Sequence, residues 1–145
     1  MAQNFFEAKD SITFIHKGTE LTLYSKNLFK FKYKIYSCLD STQILSGTVD
    51  GNYKIEKFKL FLNQTSEGDV FFQEPYLILP IKNQTFLISS KDEEIKRIKS
   101  IWTKDYDESF FDFLIRENRE SPFFYSNKEI KLSLKHKKKV YNIFE

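Results

Sequence analysis

Residues Leu28 to Tyr36 read Leu-Phe-Lys-Phe-Lys-Tyr-Lys-Ile-Tyr, an alternation that few folds can accommodate. Phe29, Phe31, Tyr33 and Ile35 take one phase, and Lys30, Lys32, Lys34 and Tyr36 take the other. Successive side chains of a β-strand point to opposite faces, so a strand separates the two sets cleanly where a helix would mix them. The apolar face has to be buried, at about 1.5–3 kcal/mol per large side chain. The lysine face stays in water or lies against an anionic partner. The chain must therefore build at least one sheet with a covered face and an open one.

The flanking sequence extends this pattern. Ile12, Phe14 and His16 alternate with Thr13 and Ile15, Lys17-Gly18 follows, and Leu21 and Leu23 alternate with Thr22 and Tyr24, a hairpin leading into the lysine strand. Gln43–Val49 and Asn52–Asn63 flank Asp50-Gly51, a dipeptide suited to a tight type I′ turn, which predicts a second hairpin there. Tyr53 and Ile55 hold one phase and Phe58, Leu60 and Leu62 the other, so a bulge or bend is expected near Glu56-Lys57. Residues 65–69 read as a loop, and Val70–Gln73 as a short apolar run. Tyr76–Ile81 is nearly continuous in apolar residues, as in a strand covered on both faces, and Asn83-Gln84 turns the chain into Thr85–Ser89.

The period then changes. Ser90 and Glu93 have capping-box spacing, and Ile95, Ile98 and Ile101 or Trp102 recur at helical steps. Asp105 with Glu108 opens a second such pattern through Phe110, Phe111, Phe113, Leu114 and Ile115, ending before Ser121-Pro122. Two helices, or one broken near Thr103, are expected. Phe123–Tyr125 and the alternating Ile130, Leu132 and Leu134 read as strand, and residues 3–9 as a short helix or arm anchored by Phe5 and Phe6.

At 145 residues the chain fits a single domain, 1–145, and its 16 Phe and 8 Tyr supply a large core. The fold class expected is α+β: a curved, mostly antiparallel sheet of roughly six to nine strands. It would form a half-barrel or partly open barrel, with one or two helices packed near the C-terminal third.

Functional signals are sparser. Cys38 is the only cysteine, which excludes an internal disulfide and a cysteine-rich metal cluster and suits a reducing compartment. The first residues carry neither a basic n-region nor a sustained apolar stretch, so a cytoplasmic protein with no membrane partner is expected. No phosphate-binding glycine loop, nucleophile elbow or zinc-protease motif is present, and His16 and His136 stand apart from each other and from Cys38. Glu129-Ile-Lys131 has the form of half a nuclease site, but Glu94-Ile-Lys96 repeats it in a predicted helix. A non-enzymatic protein without cofactor or metal is expected.

Charge is bipolar along the chain. Between Tyr24 and Leu62 there are seven lysines against three acids, and from Asp105 to Glu120 six acids against two arginines. Asp105, Glu108 and Asp112, with Asp107 beside them, fall on one helical face that could cover a cationic site on another protein. This makes a protein-binding module of the immunity or inhibitor type the leading expectation. An alternative is a single-stranded nucleic-acid platform on Lys30, Lys32, Lys34, Tyr36, Lys54, Lys57 and Lys59. A second alternative is a barrel-like carrier of an apolar small molecule. The run Lys135–Lys139 reads as a solvated tail.

Overall fold

The structure is a computed structural model. It describes residues 11–16, 18–36, 43–67, 72, 74–81, 83–105 and 124–144, with the main chain alone at 35, 36, 43, 44 and 100–105. Eight strands form one closed antiparallel barrel: β1 (Ser11–His16), β2 (Thr19–Tyr24), β3 (Leu28–Tyr36), β4 (Gln43–Glu56), β5 (Lys59–Gln64), β6 (Tyr76–Ile81), β7 (Gln84–Ser89) and β8 (Phe124–Ser126). Each strand pairs with its sequence neighbours, and Ile15 of β1 meets Tyr125 of β8 to close the ring. The curvature expected of the sheet thus goes to completion.

The register carries one phase of every strand inward. Phe14 pairs with Leu21, Leu21 with Phe31, Phe31 with Val49, Tyr53 with Leu62, Leu60 with Tyr76, Ile78 with Leu87, and Leu87 with Phe124. These residues and their in-phase neighbours make the luminal core. The alternation of β3 is obeyed, with Phe29 and Phe31 buried and Lys32 and Lys34 exposed.

Two turn assignments change. Asp50-Gly51 is not a turn; both residues lie inside the fourteen-residue β4. Gly51 is required there by close approach, since a Cβ would collide with the carbonyl of Asn63 and with the ring of Phe29, its partner across the ladder. Gly47 likewise lies under the ring of its partner Tyr33. The reversal comes instead at Lys57-Phe58, where Lys57 takes φ 58° and Glu56 pairs with Lys59. A positive φ at the first turn residue is the type II′ arrangement that fits strand twist. The phase switch expected from a bulge is therefore the chain turning back on itself.

The second layer covers β6 and β7 from outside. Helix α1 (Asp92–Asp105) and helix α2 (Leu134–Phe144) place Ile98, Val140 and Phe144 against Leu77, Leu79, Ile81, Phe86 and Ile88. That is why Tyr76–Ile81 is apolar in both phases. α1 runs unbroken through Thr103, and the Ser90 hydroxyl donates to the Pro75 carbonyl at 2.6 Å instead of capping the helix. The region around Leu134 was expected to be strand and Lys135–Lys139 a tail; instead Ile130 inserts into the luminal core and a helix begins at Leu134. The predicted arm at 3–9, the second helical pattern beyond Asp105 and up to Ser121-Pro122, and Cys38 lie outside the described residues.

Candidate functional site

The barrel has two unlike ends. At one, the reversals are short: Ser25-Lys26-Asn27 with Asn27 at φ 61°, Lys57-Phe58, and the turn carrying Asn83 at φ 66°. Asparagine tolerates the left-handed conformation, which makes such turns tight. Residues 127–133 cross this end. The buried Thr85 hydroxyl donates to the Lys128 carbonyl at 2.7 Å and accepts the Ile130 N–H at 2.9 Å, while Lys128 Nζ donates to the Ser11 carbonyl at 3.0 Å.

At the other end the connections between β3 and β4, β5 and β6, and β7 and β8 are long. Aromatic rings meet across the lumen below them. Phe72 stands edge-on to Phe31 at 5.0 Å and to Phe29 at 5.4 Å, and Phe124 meets His16 at 5.6 Å and Tyr76 at 6.0 Å. Burial pushes the Tyr76 phenol above its ordinary value. Gln64 donates from Nε2 to the Ser66 carbonyl at 3.1 Å, and its buried Oε1 has no partner among the described residues.

The same end carries a two-stranded ribbon. The β2–β3 ladder stops at Glu20 opposite Lys32, and the β4–β5 ladder stops at Gly51 opposite Gln64, yet β3 and β4 stay paired up to Tyr36 and Gln43. Among the described residues, then, β4 has a ladder on one side only from Asp50 back to Gln43. The Asp50 N–H donates to Ser66 Oγ at 3.0 Å and its carbonyl accepts from the Thr65 N–H at 3.0 Å, so its peptide groups point away from β3. By the two-residue period, Thr48 and Ser46 turn theirs the same way, and no described strand receives them. Gln43–Val49 contains no charge and no proline. Leu45, in phase with Gly47 on the luminal side, is 48% exposed because it stands above the barrel rim.

The lysines predicted as a platform lie on the outer wall. Lys30, Lys32 and Lys34 of β3 share that wall with Lys54 and Lys59, while Lys57 sits in the turn at the opposite end from Lys34. Acids are interleaved: Lys30 pairs across the ladder with Asp50, Lys32 with Glu20, and Lys54 is bridged to Glu56 at 3.2 Å. Lys54 and Lys59 also lie over the rings of Phe61 and Phe58. The Tyr36 side chain is outside the described residues. Of the acidic patch, only the main chain of Asp105, the last residue of α1, is described; Asp107, Glu108 and Asp112 are outside.

Glu129 and Lys131 sit on the irregular segment before α2, with Glu129 bonded to Lys137 at 3.5 Å. Among the described residues there is no grouping of three or more His, Cys, Asp and Glu side chains that could hold a metal, and no helix long and apolar enough to cross a membrane. That β4 runs past the last described β4–β5 pair escaped the sequence reading, since its signal is relational. Nine residues in β3 and fourteen in β4 stand beside six in β2 and six in β5.

These features define an eight-stranded up-and-down β-barrel with an outer helical layer on one side. Comparison with family models, with curated proteins and with solved structures gave no match.

Proposed function

We propose that this chain is a non-enzymatic protein-binding module that takes an extended segment of a partner protein onto the free edge of β4. The observation that carries this reading is the uncharged edge of β4 at Gln43–Val49, which no strand among the described residues pairs on the side away from β3. Sheet edges left open to water are ordinarily blunted by lysine, proline or bulges, because unpaired N–H and C=O groups template the addition of another strand. Main-chain bonds at Ser46 and Thr48 supply the affinity and Leu45 an apolar contact, the pattern of strand addition. An inhibitor or immunity role follows if the captured segment belongs to the partner's working surface. The single cysteine favours a cytoplasmic setting.

The carrier reading has less behind it. An eight-stranded lumen is only just wide enough for its own side chains or one small ligand, and here Phe29, Phe31, Phe72 and Phe124 meet within it. The lysine-wall platform is weakened by the acids interleaved with it.

A photo-crosslinker at Ser46, used in an extract of the native cell, is expected to give a discrete protein adduct. Thr48→Pro removes an outward N–H and should abolish that adduct while leaving the thermal midpoint nearly unchanged. An adduct that survives Thr48→Pro in a folded protein would sink strand addition as the mode of binding.

A further inference from the structure

The two helices follow opposite electrostatic rules. In α1 the first turn is acidic, with Asp92, Glu93 and Glu94, and its cations Lys96, Arg97 and Lys99 come later. That order suits the helix dipole, and Arg97 bridges back to Glu94 at 2.8 Å. In α2 the first turn has no acid and carries Lys135, His136 and Lys137, and no cation sits in the last turn. Lys135 stands three and four residues from Lys138 and Lys139, so these ammonium groups repel one another along one face. Helix stability explains the charges of α1 and argues against those of α2.

Burial sorts the face further. Val140 and Phe144 are fully buried on the barrel side, His136, Lys137, Tyr141 and Ile143 are half-buried, and Leu134, Lys135, Lys138, Lys139 and Asn142 are all exposed. Lys131 is exposed just before the helix. Glu129 is the one acid in residues 124–144, and Lys137 takes it at 3.5 Å. Lys135, Lys138 and Lys139 thus form a cationic helix face with no acid bridged to it among the described residues.

We propose that the outer face of α2 binds the phosphate backbone of double-stranded nucleic acid without reading its sequence. The apolar side of the helix is committed to the barrel, and the exposed face offers one apolar group, Leu134, so it cannot embed in a bilayer as an interfacial helix does. It also offers no exposed ring, and without stacking groups the recognition of single strands loses its main source of affinity. Lysine ammonium groups are point charges that neutralise phosphates and leave base edges unread. The proposal uses residues other than the β4 edge and stands independently of it.

The test is fluorescence anisotropy with a labelled duplex of random sequence, titrated with salt, on the whole chain. Binding should weaken with a log–log slope of about −3 if three lysines release counterions. Lys135→Gln/Lys138→Gln/Lys139→Gln should lower that slope by about 2 to 3 and weaken binding at least tenfold at low salt. Its thermal midpoint should stay level or rise, because the substitutions remove repulsion. Unchanged duplex binding in the folded triple variant overturns the proposal. So does an equal loss from Lys30→Gln/Lys32→Gln/Lys34→Gln, or binding to phosphatidylserine vesicles that duplex does not compete away.

Discussion

Strands β1 to β5 and strands β6 to β7 belong to one barrel but solve different burial problems. The first group has a luminal face and a wet face, so Phe29 and Phe31 alternate with Lys30 and Lys32. The second is covered on both sides, by the lumen through Ile78 and Leu87 and by the helices through Leu77, Leu79, Phe86 and Ile88. Alternation in sequence therefore reports how many layers lie on a strand as well as that it is a strand. The wet half has no described layer over its outer face, and the covered half holds the helices in place.

The sharpest test of this contrast sets one phenylalanine from each half against the other. Phe31→Ala empties the lumen and Phe86→Ala the outer layer; both sites are buried, so each is expected to cost about 3–5 kcal/mol. Urea unfolding followed by circular dichroism checks the sizes. If the layers form one cooperative unit, helix and sheet signals move together in both variants. A helix signal that melts first in Phe86→Ala would split the molecule into two units.

A buried hydroxyl ties β7 of the covered half to the segment that follows β8. Thr85→Val keeps the shape and removes the bonds to Lys128 and Ile130 at the closed end, leaving a buried N–H without its acceptor. A loss of about 1–3 kcal/mol is expected from chemical denaturation. A neutral result would mean that Ile130 closes the barrel by packing alone.

In the wet half, Tyr53 donates its hydroxyl to the Tyr24 carbonyl at 2.7 Å, and burial pushes its pKa up to about 12. The neutral phenol is the form that folds, and the unfolded chain ionises near pH 10. The contribution is complete below pH 10 and is lost as pH rises towards 12, because the unfolded state then sheds its proton first. Tyr76, whose pKa is also raised by burial, adds a loss of the same sign. Tyr53→Phe should flatten the decline in thermal midpoint over this window and cost about 1 kcal/mol at neutral pH.

How legible the molecule was follows from which forces are local. The faces of β3 and the double burial of Tyr76–Ile81 could be read directly, since each residue's neighbours in sequence show its side. Asp50-Gly51 was misread because the glycine answers a collision with Asn63 and Phe29, partners on other strands. The helix at Leu134–Phe144 was missed because Val140 and Phe144 are too few to announce a period among five basic residues. Its burial comes from β6 and β7, more than forty residues away. The stretch of β4 that no described strand pairs on its β5 side depends on where β5 stops pairing, which no local pattern encodes.

The smallest effect expected is also the finest probe of where the barrel ends and the ribbon begins. Lys32 stands opposite Glu20 on one side and Thr48 on the other, whereas Lys34 stands opposite Ser46 and lies past the last β2–β3 pair. Lys32→Glu sets two carboxylates across a ladder and should destabilise by up to about 0.5 kcal/mol, a loss that salt diminishes. Lys34→Glu meets no such neighbour across the ladder and should change stability by less, within the ordinary scatter of surface substitutions at about ±0.5 kcal/mol. If Lys34→Glu proved the more damaging of the two, and salt relieved the damage, an acidic group would have to stand beside the ribbon. The edge of β4 would then have to be treated as covered, and the partner strand proposed for it would have no place to bind.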